Sequence, residues 1–143
     1  MTGYKVLLVD DEVEFVDTLA ERLDSRGLKT EVAYSGPEAV KKAEEKNFDA
    51  IVLDFAMPGL DGIETMKALR ATNPDLQIIF LTGQATVQKS IEAMKMGATD
   101  LMEKPADIQQ LLEKIEKASA KKALLVEKHV EDKLQEIMSK KGW

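Results

Sequence analysis

Three observations in the 143-residue chain predict an α/β fold built on a doubly wound parallel sheet. Five short apolar runs, at 6–9, 30–34, 50–53, 78–81 and 99–102, alternate with five segments of helical spacing. The runs are largely apolar throughout rather than alternating, as strands are when helices cover both faces of a sheet. Turn and capping residues punctuate the joints. The result is a (βα)5 unit with short loops and an extended C-terminal helix.

The helices follow in order. Phe15, Leu19 and Leu23 recur one helical turn apart after the first strand, and Gly27 then supplies a left-handed end. Ser35-Gly36-Pro37-Glu38 reads as the start of the second helix, which carries Ala39, Val40 and Ala43. Ile63, Met66 and Leu69 make the third, stopped by Asn73-Pro74-Asp75. Val87, Ile91 and Met94 make the fourth, closed by Gly97. Ile108, Leu111, Leu112 and Ile115 make the fifth, after Pro105.

Composition narrows the function. With no cysteine, disulfides, thiolate metal sites and cysteine nucleophiles are excluded. No signal peptide and no run of about 20 apolar residues is present, so a cytoplasmic protein without a membrane span is expected. Net charge is −6, which disfavours direct binding to nucleic acid phosphates. The charge is uneven: residues 120–143 hold six lysines and four acids, net +2, leaving −8 on 1–119. These halves are taken as a compact domain, 1–119, and a helical extension, 120–143.

In an open α/β sheet the functional edge lies beyond the carboxyl ends of the strands. The strand ends place there Asp10-Asp11-Glu12, Asp54, Thr82-Gly83 and Glu103-Lys104-Pro105. One aspartate alone would read as a helix cap. Acids at two strand ends with a lysine at a third instead call for counter-charge: Lys104, and a hard divalent cation of the kind that oxygen ligands hold.

The stretches Leu8-Val9-Asp10-Asp11-Glu12, Asp54 with Met57-Pro58-Gly59 and Asp61-Gly62, Leu81-Thr82-Gly83, Gly97-Ala98 and Lys104-Pro105 resemble, in order and spacing, the receiver domains of two-component response regulators. The segments at 82–86 and 92–98 are most similar to receivers of enhancer-binding activators. The resemblance implies strand order 2-1-3-4-5. It implies Asp54 as phosphoryl acceptor and Mg²⁺, or Mn²⁺ in its place, held by Asp11 directly, Asp10 through water, Asp54 and the Ala56 carbonyl. Thr82 and Lys104 then contact phosphoryl oxygens, and the Lys104-Pro105 peptide is cis. The expected role is a phosphorylation-activated switch rather than a multi-turnover enzyme. Its partners are a sensor histidine kinase or phosphotransfer protein and a downstream protein target.

Two departures matter. Leu101 stands where the family usually has an aromatic residue that moves with Thr82, so a smaller switching step is expected at Thr82 and Leu101. Ala56 offers no polar group to orient water, whereas Gln84 does, which suggests slow to moderate self-dephosphorylation. Ala56 also argues against a phosphatase of the haloacid dehalogenase type, which needs an aspartate there. Asp10-Asp11-Glu12 argues against a flavodoxin, whose phosphate loop they would repel.

The extension carries Val126, Val130, Leu134 and Ile137 at steps of four, four and three, with no Gly or Pro before Gly142. Its apolar stripe suggests a homodimer through the C-terminal helix, the alternatives being packing back on the body or fraying. Lys121-Lys122 is a candidate break, and His129 is expected to be a solvated helix residue.

Overall fold

The computed structural model describes residues 3–57, 61–83 and 87–140. Its elements run β1 (Lys5–Val9), α1 (Val13–Asp24), β2 (Lys29–Ala33), α2 (Gly36–Glu45), β3 (Ala50–Leu53), α3 (Gly62–Thr72), β4 (Ile78–Thr82), α4 (Val87–Lys95), β5 (Asp100–Glu103) and α5 (Ile108–Lys140). The five strands form one parallel sheet in the order β2-β1-β3-β4-β5, as expected.

Alternation along the strands divides the core between the two faces. Val6 and Leu8 join Val52, Ile79 and Leu81 under α1 and α5. Leu7 and Val9 join Ile51, Leu53, Ile78 and Phe80 under α2, α3 and α4. Both faces are covered, which is why the strands read as unbroken apolar runs.

The punctuation acts as its chemistry dictates. Gly27 and Gly97 take φ of 89° and 102°. A Cβ on Gly97 would also lie 2.5 Å from the guanidinium of Arg70, whose Nε–H donates to the Leu76 carbonyl at 3.2 Å. The side chains of Ser35 and Asp61 cap α2 and α3, accepting from the N–H groups of Glu38 (3.3 Å) and Glu64 (2.9 Å).

Helix α5 is one continuous element of 33 residues, about 50 Å long. It is buried through Ile108, Leu111, Leu112, Ile115 and Ala118, then runs past the amino edge of the sheet. Lys121-Lys122 is no break. The Lys122 ammonium reaches the Phe48 carbonyl at 2.5 Å, filling the joint between body and extension. One turn earlier, the Ser119 hydroxyl donates to Asp49 at 3.5 Å. His129 is exposed, as expected of a solvated helix residue, and its Nε2 lies 3.0 Å from Asp75 Oδ1, in the loop before β4. The stripe of Val126, Val130, Leu134 and Ile137 remains exposed. No helix among the described residues is long and apolar enough to cross a membrane.

Candidate functional site

The sheet ladder continues one residue past three strands and thereby fixes the site. The N–H of Asp10 donates to the Ala33 carbonyl at 3.1 Å, that of Asp54 to Val9 at 2.9 Å, and that of Lys104 to Thr82 at 2.9 Å. Thr82 is the last residue of β4 and is buried. Asp10, Asp54, Thr82 and Lys104 are thus set by rigid elements rather than free loops. The Lys104-Pro105 peptide is cis.

Beneath Asp54, Gly62 at the start of α3 allows a close approach. Its N–H donates to the Phe55 carbonyl at 3.0 Å. A Cβ there would fall 2.7 Å from Phe55 Cα and 2.9 Å from the Asp54 carbonyl oxygen.

The side chains converge around one ammonium. Lys104 Nζ lies 2.7 Å from Asp10 Oδ2, 3.1 Å from Glu12 Oε1 and 3.9 Å from Asp54 Oδ1. The ring of Phe15 sits 4.4 Å from the same nitrogen. Burial alone lowers the Lys104 pKa, but Asp10, Glu12 and Asp54 outweigh it and the net shift is upward. Asp54 is 5% exposed, and its pKa is raised to about 6. Burial is the main cause and the charge of Asp10 the next; Lys104 and the Ala56 N–H, 3.5 Å away, pull the other way.

Carboxylate oxygens of Asp10, Glu12 and Asp54 lie within 4.8 Å of one another. An all-oxygen donor set with excess negative charge suits a hard divalent cation. Asp11 stands outside this trio. It is exposed, and among the charges acting on Asp54 its effect is smaller than that of Asp10. Of the two neighbouring aspartates, Asp10 is the buried one, and Glu12 lies beside it at the rim of the pocket. Ala56 is exposed beside Asp54. Leu101 is half-buried against the α2–α4 core, paired in register with Phe80, whose ring packs 5.1 Å from that of Phe55. Gln84 lies outside the described residues.

Sequence reasoning placed Glu12 at this edge but gave it no role there. An acid at the start of a helix ordinarily complements the helix dipole, and its partner Lys104 is 92 positions away.

An acidic pocket gripping a lysine, at the carboxyl edge of a 2-1-3-4-5 parallel sheet, defines a class of α/β signalling domain modified on aspartate. The model of the response regulator receiver domain matches residues 6–116, and the chain belongs to that family. It is 39% identical over 115 residues to the transcriptional regulatory protein ZraR of Salmonella typhimurium, a match spanning 80% of this chain but 26% of ZraR. The chain thus spans about a quarter of the length of that relative. Among solved structures it is similar to the Thermotoga maritima response regulator TrrA in complex with Mg²⁺ and BeF (31% identity, TM-score 0.72, 80% of this chain and 98% of that one). It is also similar to a Burkholderia pseudomallei response regulator with a phosphorylated aspartic acid and a calcium ion (26%, TM-score 0.75, 97% of this chain and 86% of that one).

Proposed function

We propose that Asp54 is the phosphoryl acceptor of a switch that docks a protein target. The observation that carries this reading is the ammonium of Lys104, held by two carboxylates 3.9 Å from a buried Asp54. A carboxylate oxygen of Asp54 attacks phosphorus, the P–N bond of a donor phosphohistidine breaks, and its electron pair stays on the departing nitrogen, the imidazole leaving neutral because its other ring nitrogen carries a proton. Such transfers depend on positioning and charge neutralisation more than on covalent help. Lys104 neutralises one phosphoryl oxygen and the Thr82 hydroxyl donates to another.

Asp10, Asp11, Asp54 and the Ala56 carbonyl are the proposed holders of Mg²⁺ or Mn²⁺, which when bound neutralises further phosphoryl charge. The acidic trio around Asp54 supports a cation there. The family and the TrrA neighbour with Mg²⁺ and BeF support the same. Thr82 and Leu101 relay the change to α4, whose Val87, Ile91 and Met94 form an exposed apolar face suited to a protein target. The chain catalyses only its own modification and its reversal, acts in the cytoplasm, and takes its phosphoryl group from a sensor histidine kinase or a phosphotransfer protein. The receiver unit ends near residue 119. The exposed stripe of α5 beyond it supports self-association through 120–143.

Incubation with phosphoramidate and Mg²⁺, followed by intact-mass measurement, tests the proposal. One added phosphoryl group is expected in the wild type, none in Asp54→Asn and none with EDTA. A modified Asp54→Asn protein contradicts it.

A further inference from the structure

We propose that Glu12 is a positioning residue for phosphoryl capture, fixing the Lys104 ammonium where an oxygen on phosphorylated Asp54 can reach it. This rests on the reading of Asp54 as acceptor. Glu12 occupies the N-cap position of α1, where Ser, Thr, Asp or Asn is favoured, and its side chain makes no capping bond. It turns instead to Lys104, at 3.1 Å.

The same segment organises the rest of the cradle. The Glu12 N–H donates to Asp10 Oδ1 at 2.9 Å, which ties the two acids into one unit. The second oxygen of Asp10 takes Lys104 at 2.7 Å. Phe15, one turn further along, closes another side with its ring 4.4 Å from the ammonium.

An ammonium carries three N–H donors. Asp10 and Glu12 occupy two. At 3.9 Å, Asp54 Oδ1 is beyond hydrogen-bond reach. A phosphoryl group bonded to that carboxylate carries its oxygens further out, and the third donor meets one without Lys104 leaving either acid. The long lysine side chain is therefore ordered before transfer rather than during it. Glu12 is 64% exposed at its side chain, so its effect is severalfold rather than total.

The test uses the full chain with Glu12→Ala and Glu12→Gln, at Mg²⁺ saturating for each variant. Gln keeps an oxygen acceptor at the same reach. Three quantities are read: the beryllofluoride dissociation constant by fluorine NMR, the rate of phosphorylation by phosphoramidate, and the Lys104 ammonium ¹⁵N resonance. Glu12→Ala is expected to weaken beryllofluoride binding and slow phosphorylation by roughly 3–10-fold, and to lose the ordered ammonium signal. Glu12→Gln is expected to stay within about twofold of wild type and keep the signal. Glu12→Ala equal to or faster than wild type overturns the inference, since Glu12 then only repels the incoming anion. Glu12→Gln falling as far as Ala overturns it too, because charge rather than contact is then at work. A wild type that takes no phosphoryl group, or a labelled Asp54→Asn, removes the acceptor reading itself. A labelled wild type with an indifferent Glu12→Ala removes this inference alone.

Discussion

The carboxyl of Asp54 carries a charge that its surroundings resist, because burial and Asp10 raise its pKa from 3.8 to about 6. Below the lower value both folded and unfolded chains hold the proton, and stability is unaffected. Between the two values the unfolded chain gives up its proton first, so stability falls as pH rises, and above about 6 the cost is complete. Asp54→Asn removes that charge. In metal-free buffer it is expected to stabilise the fold by up to about 3 kcal/mol at neutral pH, with the gain gone near pH 4. Denaturant titrations at the two pH values check this; a gain that persists at low pH contradicts the electrostatic cause. Lys104→Met has the opposite sign, costing about 3 kcal/mol at neutral pH by leaving buried Asp10 without its counter-charge. Added Mg²⁺ is expected to recover much of that loss, and thermal melts with and without Mg²⁺ are the measurement. Asp10, Asp54, Thr82 and Lys104 were legible in the sequence because a strand end fixes where a residue goes. The Glu12–Lys104 and His129–Asp75 contacts were not, since each joins side chains far apart in the chain through a fold that local pattern does not encode.

At the scale of elements, two glycines at the same edge separate close approach from open space. Gly62 lies against the backbone that carries Asp54, where a Cβ would meet Phe55 Cα at 2.7 Å. Gly62→Ala is expected to cost about 1–3 kcal/mol and to slow phosphorylation, because the obstacle is main chain and the acceptor must shift. A Cβ on Gly83 would find only the Lys104 side chain, at 3.9 Å, so Gly83→Ala is expected to change stability little. Equal effects in unfolding measurements on the two variants would contradict the assignment. All five strands fall within one or two residues of the sequence expectation, since apolar runs and turn residues agree at every joint. The continuity of α5 was signalled by the absence of Gly and Pro before Gly142. The doubt at Lys121-Lys122 arose because pattern alone does not reveal that the Phe48 carbonyl accepts from Lys122.

Across the whole molecule, function and extension sit at opposite ends. Asp54 lies at the carboxyl edge of the sheet, while α5 leaves past the amino edge, where Asp49 and Asp75 contact it. Self-association there would join two receivers with both phosphorylation edges open to a kinase. Paired Val130→Asp and Leu134→Asp are expected to reduce any dimer to monomer in light scattering while leaving phosphorylation intact, because neither residue is buried in the body. Unchanged mass in a dimeric protein would exclude the α5 stripe as the seam. The account as a whole depends on one chemical event at one carboxyl group. Borohydride reduction after phosphoramidate and Mg²⁺ treatment, followed by peptide mass mapping, reads it most directly, because it converts an acyl phosphate to homoserine where it stood. Homoserine at position 54 and at no other aspartate is the expected result; homoserine at Asp10 or Asp11, or at none, contradicts the account.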